Sequence, residues 1–135
     1  MHEEERQLRA IGYCRVACAD KDTQEKLKHQ RQRISDRAMM EDVELVDCYE
    51  EVGKAGEVLQ ELHEYCKEDS DIYYLLVSDF TRISSNPKDV EIWISKFAEI
   101  GMDVMWADRS PIDEAVRNRN KALRQIYVPH LVRGF

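Results

Sequence analysis

The sequence contains few residues that break a chain or cross-link it, with five glycines, three prolines and four cysteines in 135 residues. Repeats and low-complexity tracts are absent. Its longest apolar run is far too short to span a bilayer, and Met1–Glu5 has no signal-peptide character. We therefore expect a single soluble cytoplasmic protein, without a membrane partner, whose cysteines stay reduced.

The chain also lacks the positive charge of a free-standing nucleic-acid binder, since its net charge is −7. The charge is unevenly distributed along the sequence. The segment 116–135 contains no acid and five bases, namely Arg117, Arg119, Lys121, Arg124 and Arg133. These bases suit contact with DNA or with an acidic partner, and they equally suit the solvated face of a helix.

Metal-ligand clusters are also missing. The spacing Cys14-x3-Cys18 is typical of some metal sites, but Cys14 falls inside a predicted strand and no second ligand pair follows. His29, His63 and His130 are isolated from one another. We predict structural cysteines, no metal site and no cofactor.

Hydrophobic residues make up 43% of the chain and charged residues 35%, as in ordinary globular domains. Strand patterns alternate with helical ones, which predicts βαβ units and an α/β fold with a four-stranded, mostly parallel sheet flanked by helices. Thr23 is predicted to cap the first helix, and Gly101 to end the third. The predicted strands are Ala10–Val16, Val43–Tyr49, Ile72–Val77 and Met102–Trp106, and the predicted helices are Thr23–Met39, Val58–Lys67, Lys88–Ile100 and Pro111–Tyr127.

These elements predict an α/β domain over residues 1–109, followed by a short basic helix and tail over 110–135 with no separate DNA-binding domain. Chemistry in parallel sheets collects beyond the carboxyl ends of the strands. In this chain those ends carry Arg15–Cys18, Glu50–Gly56, Ser78–Ser85 and Asp108.

Four stretches then share an order and spacing with a known family: Tyr13–Ala17, Leu27–Gln30, Tyr49–Gly56 and Val77–Asn86. Together they resemble the catalytic domain of the serine recombinases, the resolvase/invertase family, over about Ala10 to Asp108. The resemblance implies a domain whose serine attacks a DNA phosphodiester and becomes a covalent phosphoserine. Several arginines of the family offset the charge that builds on the phosphate.

Most of the implied catalytic residues are replaced in this chain. The nucleophile position holds Ala17, whose methyl group cannot accept a phosphoryl group. A further arginine that the family usually has after its Gly-x-Ser-Gly loop is missing, because Gly56 leads directly to Glu57–Gln60. Three more positions are degenerate: Ala55 replaces the loop serine, Thr81 an acid or serine, and Ser85 the second arginine of an Arg-x-x-Arg pair.

The resemblance leaves Arg15, Arg82 and Gln30 as matching residues, and we predict that they form a residual phosphate or anion site. Alternatively, the two arginines brace the loops at the strand ends. In that case their partners would be nearby acids, namely Asp79, Glu50 or Glu51.

Together these losses predict a catalytically inactive protein that acts by binding or regulation, linked to DNA recombination or mobile elements. The expected partners are DNA, contacted weakly or indirectly, and a recombinase or second copy in a dimer. A defective remnant of a mobile element is a third interpretation. The alternative is an active site-specific recombinase with an atypical nucleophile such as Ser84 or Ser85. The Cys18 thiol could substitute only if the strand has ended before it, since successive strand residues face opposite sides.

Two apolar groups have simpler interpretations. Tyr73 and Tyr74 are predicted to lie in the core and on a face of the sheet. A helical stripe fits either core packing alone or core packing together with a dimer contact; it comprises Trp93, Ile94, Phe97 and Ile100.

Overall fold

Strands and helices alternate strictly in the computed structural model, which describes residues 7–69, 71–108 and 116. The strands are β1 (Leu8–Val16), β2 (Val43–Val52), β3 (Ile72–Val77) and β4 (Asp103–Trp106). Within residues 7–69 and 71–108, the α-helices are α1 (Thr23–Met40), α2 (Glu57–Glu68) and α3 (Pro87–Glu99). A 3₁₀ turn lies at Phe80–Arg82. None of these helices has the length and apolar character needed to cross a membrane.

The four strands form one parallel sheet in the order β2-β1-β3-β4. Helix α1 packs on one face, while α2 and α3 pack on the other. The predicted α/β fold is therefore confirmed. From β1 the chain runs outward to β2, then returns to β3 on the far side of β1, so the connections leave β1 and β3 in opposite directions. Such a reversal opens a crevice at the carboxyl ends of the two strands.

Between Arg9 and Arg15, strand β1 carries no charged residue because both faces of the sheet are covered. Ile11 and Tyr13 point into the core beneath α2 and α3, and Ala10 and Cys14 into the core beneath α1. Strand β3 follows the same alternation with one exception: Tyr73 is 40% exposed, whereas Tyr74 is buried as predicted. The pairing with β1 skips Tyr73, because Arg9 pairs with Ile72 and Ala10 with Tyr74.

Two local predictions are wrong. Strand β2 does not end at Tyr49 but continues to Val52, because β1 pairs with it as far as Val16 opposite Val52. Thr23 does not cap α1, since it is already the first helical residue and its hydroxyl accepts a hydrogen bond from the Asp20 amide at 2.7 Å.

Helix α3 ends just before Gly101, as predicted. Gly101 has φ +83°, a left-handed conformation that glycine adopts without strain. In the predicted stripe Phe97 is fully buried, while Trp93, Ile94 and Ile100 pack partly buried against the same core. The dimer contact of this stripe stays a prediction.

The predicted helix Pro111–Tyr127, the basic residues 117–133 and the domain boundary at 110 lie outside the described residues, apart from Val116. That residue is helical and 2% exposed, and it packs in the core beneath α2 and α3. The division into 1–109 and 110–135 stays a prediction.

Gly12 provides a test of packing between β1 and its neighbours. A Cβ atom there would lie 2.8 Å from Cys48 Sγ and 3.2 Å from Ile34 Cγ2. We expect Gly12→Ala to lower the free energy of unfolding by about 1–3 kcal/mol, as overpacking does in a filled core. Gly56→Ala is the matched control, because nothing lies within 4 Å of its Cβ position. Equal urea midpoints for the two variants would contradict this packing.

Cys66 makes stability depend on alkaline pH. It is 2% exposed, and burial raises the pKa of its thiol from 9.0 to about 12. Above pH 9 the unfolded chain releases this proton while the folded chain keeps it, so stability is complete below pH 9 and falls as pH rises toward 12. Between pH 8 and pH 10 the free energy of unfolding of the wild type falls. We expect this fall to be smaller by about 1 kcal/mol in Cys66→Ala. Identical pH slopes in urea titrations of both proteins would contradict the assignment.

Candidate functional site

An open cleft of about 840 Å³ lies at the carboxyl end of the sheet, beside the crevice between β1 and β3. Its walls come from the ends of β1 and β2, the segment after β3 and the first turns of α3. The cleft brings together six of the seven predicted site residues, which are Arg15, Ala17, Ala55, Thr81, Arg82 and Ser85. The other lining residues are Lys54, Ile83, Ser84, Asn86, Asp89, Ile92 and Trp93.

The guanidinium of Arg15 ties two loops to the end of β1. Its Nε donates to the Arg82 carbonyl at 2.5 Å, its Nη1 to the Gly53 carbonyl at 2.8 Å and its Nη2 to the Thr81 carbonyl at 2.8 Å. Backbone carbonyls removed from water need such partners, and the planar fork of arginine can serve several at once. Arg15 therefore fixes the loop after β2 and the 3₁₀ turn after β3 in one arrangement.

The Arg82 side chain in turn donates hydrogen bonds to the Arg15 backbone and to Thr81. Its Nη1 donates to the Arg15 carbonyl at 2.9 Å, and its Nη2 donates to the Thr81 hydroxyl at 3.0 Å. Its Nε lies 3.6 Å from Asp79 Oδ2, which makes an ion pair within the turn. We call this reciprocal pair of side chains and carbonyls the Arg15–Arg82 latch.

The partners of the latch correct one part of the bracing hypothesis. Asp79 does pair with Arg82, but among the described residues neither the Glu50 nor the Glu51 carboxylate forms an ion pair with Arg15 or Arg82. Glu50 forms an ion pair with Arg31 on α1. The arginines are instead braced mainly by backbone carbonyls, which a search for nearby acids in the sequence does not reveal.

Glu51 has a structural task that the sequence analysis missed. It is 7% exposed, and its Oε1 accepts a hydrogen bond from the Tyr13 hydroxyl at 2.6 Å. Its two oxygens also accept from the amides of Gly56, at 3.3 Å, and Val58, at 3.1 Å, at the start of α2. Burial, and then the bond to Glu51, raise the pKa of Tyr13, so this hydroxyl remains a donor. The position of Glu51 in the Tyr49–Gly56 motif was the available signal.

Gln30 lies outside the cleft and holds Arg15 from the α1 side. Its Oε1 accepts from the Arg15 amide and its Nε2 donates to the Arg15 carbonyl, both at 2.9 Å. The side chain is 6% exposed. Gln30 thus orients the Arg15 backbone, and its predicted part in anion binding stays a prediction.

The hydroxyl groups that line the cleft differ in the hydrogen bonds that they form. Thr81 donates to Asp79 Oδ1 and accepts from Arg82, while the Ser84 hydroxyl donates to Asp89 at 3.3 Å and accepts from the Asn86 amide at 3.0 Å. Ser85 forms no side-chain hydrogen bond with the described residues. At the nucleophile position the cleft presents only the methyl group of Ala17. Cys18 is exposed and does not line the cleft.

The electrostatic balance of the cleft is positive even though the chain is acidic. Arg15, Arg82 and the exposed Lys54 line it together with one acid, Asp89. Lys54 forms no ion pair with residues 7–69 or 71–108. Such a cleft can hold an anionic group, while its uncharged wall carries Ile92 and Trp93.

Comparison with known proteins agrees with this architecture. The family described as "Resolvase, N terminal domain" matches residues 10–128. The chain belongs to this family. It is a serine-recombinase-like domain, and its family links it to DNA recombination, DNA interaction and oligomerisation in general.

Solved structures show the same fold. A resolvase family site-specific recombinase from Streptococcus pneumoniae is 21% identical with a TM-score of 0.67, covering 93% of this chain and 91% of that one. The N-terminal catalytic domain of TP901-1 integrase is 18% identical with a TM-score of 0.62, covering 90% and 97%. The C-terminal catalytic domain of ISC1926 TnpA, an IS607-like serine recombinase, is 17% identical with a TM-score of 0.65, covering 87% and 82%. Comparison with curated protein sequences finds no match.

The latch can be tested by a change that keeps the charge. Arg15→Lys offers one ammonium group, which cannot span carbonyls of Gly53, Thr81 and Arg82 together. We expect the free energy of unfolding to fall by about 1–3 kcal/mol, because three partly buried carbonyls lose their donors. Lys54→Ala, in the same cleft, is expected to change it by less than about 0.5 kcal/mol. Equal guanidinium midpoints for Arg15→Lys and the wild type would refute the latch.

Proposed function

We propose that this domain is a non-catalytic member of the resolvase family, which acts by binding in a recombination complex. The observation that carries the proposal is the methyl group of Ala17, in the cleft at the position where the family supplies its nucleophile. A methyl group forms no covalent bond to phosphorus, so the first step of strand exchange has no reagent there.

The surrounding cations also support a binding role. A guanidinium has five N–H donors, and Arg15 directs three of its groups to backbone carbonyls while Arg82 directs two groups to protein oxygens. Half of their ten N–H donors are therefore already engaged and cannot follow charge as it builds on a transferring phosphate, the role that arginines serve in such transition states. Their net charge nevertheless attracts an anion.

The binding role that follows has two parts. Arg15 and Arg82, with Lys54, form a residual phosphate site, and Gln30 supports it through the Arg15 backbone. Because the chain carries a net charge of −7, contact with DNA through this site alone is weak and sensitive to salt. The domain therefore acts beside a recombinase or a second copy that supplies the main DNA contact, as a regulator linked to recombination or to a mobile element.

One observation favours a second candidate function, an active recombinase with an atypical nucleophile. The Ser85 side chain lines the same cleft as Arg15, and no hydrogen bond within the described residues engages its hydroxyl. Ser85 would then attack the phosphodiester in place of Ala17. Ser84 is less suited, since its hydroxyl is already bonded to Asp89 and the Asn86 amide.

A search for covalent adducts separates the two functions. The chain is incubated with supercoiled plasmid and with nicked duplex oligonucleotides whose centres are randomised, and the products are resolved on denaturing gels. We expect neither nicking nor a protein–DNA adduct, while an active serine recombinase on its own site gives both. An adduct that Ser85→Ala abolishes would overturn the proposal in favour of the second function.

The residual phosphate site is tested by fluorescence anisotropy with a labelled duplex. We expect affinity to fall more than tenfold between about 50 and 300 mM salt, and Lys54→Ala to weaken binding severalfold at low salt. Lys67→Ala, a change on α2 outside the cleft, is the matched control. Equal losses from both variants would show that the cleft is not the site.

A further inference from the structure

Two thiols touch between β1 and β2, behind the strand end that carries Arg15. Cys14 Sγ and Cys48 Sγ are 3.4 Å apart, and both cysteines are free. Cys48 pairs with Gly12 in the sheet, and its sulfur occupies the space where a side chain at residue 12 would stand. Gly12 thus allows the Cys48 side chain to reach Cys14.

The two sulfurs differ in environment and in acidity. Cys14 is fully buried, whereas Cys48 is partly exposed. The hydrogen bond to Cys48, together with burial, raises the pKa of Cys14. The same bond lowers the pKa of Cys48, with the Arg31 charge contributing. Cys48, the partly exposed member of the pair, is therefore the thiol that ionises more readily, and the thiolate is the reactive form.

We propose that Cys14 and Cys48 are a modification site at which a peroxide forms a reversible disulfide between β1 and β2. The Cys48 thiolate attacks one peroxide oxygen, so an S–O bond forms, the O–O bond breaks and hydroxide (for an organic peroxide, alkoxide) leaves. Cys14 then attacks the Cys48 sulfur, the S–S bond forms and the S–O bond breaks. The Cys14 proton leaves with that oxygen as water, and two thiols have lost two electrons to the peroxide.

The bridge would link two positions that are not directly opposite in the sheet. A disulfide requires the sulfurs to approach to about 2.05 Å. The register places Cys14 opposite Glu50 and Cys48 opposite Gly12, so the bridge runs diagonally between the strands. Diagonal neighbours lie about 7–8 Å apart, farther than most disulfide-linked Cα atoms, so closing the bridge shifts the backbone next to Arg15. The pair thus couples oxidation to the latch and the cleft.

The test uses the full chain with Cys18→Ser, which removes the exposed thiol but leaves three cysteines. After hydrogen peroxide, alkylation and peptide mass spectrometry, we expect two thiols to be lost, with a decrease of about 2 Da in the linked cysteine peptides and no gain of oxygen at either cysteine. The linked peptides should contain Cys14 and Cys48, and dithiothreitol should restore all three thiols. The remaining thiol, Cys66, is buried in the opposite core and should alkylate only after unfolding.

Adding Cys14→Ser to this protein provides the matched control. Its Cys48 should progress to sulfinic acid, a gain of about 32 Da, because no thiol is in reach to resolve the sulfenic acid. Sulfinic acid at Cys48 with Cys14 present, or three thiols that all survive peroxide, would overturn the proposal. These masses do not depend on DNA, so they leave the proposed function to its own test.

Discussion

The reciprocal bonding of Arg15 and Arg82 is the interaction on which the carboxyl end of the sheet depends. Parallel strands leave their loops at one edge, and each loop brings carbonyls that must find donors once they leave water. Arg15 supplies donors to Gly53, Thr81 and Arg82, and the Arg82 side chain returns one to the Arg15 carbonyl. Because Gln30 holds the Arg15 backbone from the other face of the sheet, two loops and one helix converge on a single residue. The shape of the cleft follows from this convergence.

This arrangement gives the two arginines a structural role that does not depend on catalysis. An arginine at a recombinase position can stabilise a transition state or hold a loop, and each N–H group serves one partner well at a time. Those of Arg15 are largely committed to the backbone. A substitution such as Ala17 removes a hydroxyl without disturbing any of these bonds, whereas loss of Arg15 would leave three carbonyls without donors. The fold of this end of the sheet therefore does not depend on a hydroxyl group at residue 17.

The hydrophobic pattern predicted the four strands and the three described helices because each element repeats its own period over many residues. The resemblance also predicted which residues meet in the cleft, since it fixed the order of the motifs at the strand ends. The role of Glu51 could not be predicted in this way. The adjacent acids and two glycines of this segment indicate a loop, but pairing with β1 extends strand β2 to Val52. Burying the Glu51 carboxylate is costly, and hydrogen bonds from the Tyr13 hydroxyl and two backbone amides offset that cost. Those partners come together only after folding.

The same strand connects the cleft with the thiol pair. Along β1, Tyr13 faces the core beneath α2, Cys14 faces α1, and Arg15 reaches the loops, so three consecutive residues serve three different neighbours. A shift at Cys14 therefore moves the backbone of Arg15, whose amide and carbonyl are both held by Gln30. The register of β1 sets the position of Arg15, and with it the position of one of the positive charges of the cleft. Under the proposed disulfide, oxidation at Cys14 would therefore shift the position of the Arg15 charge in the cleft.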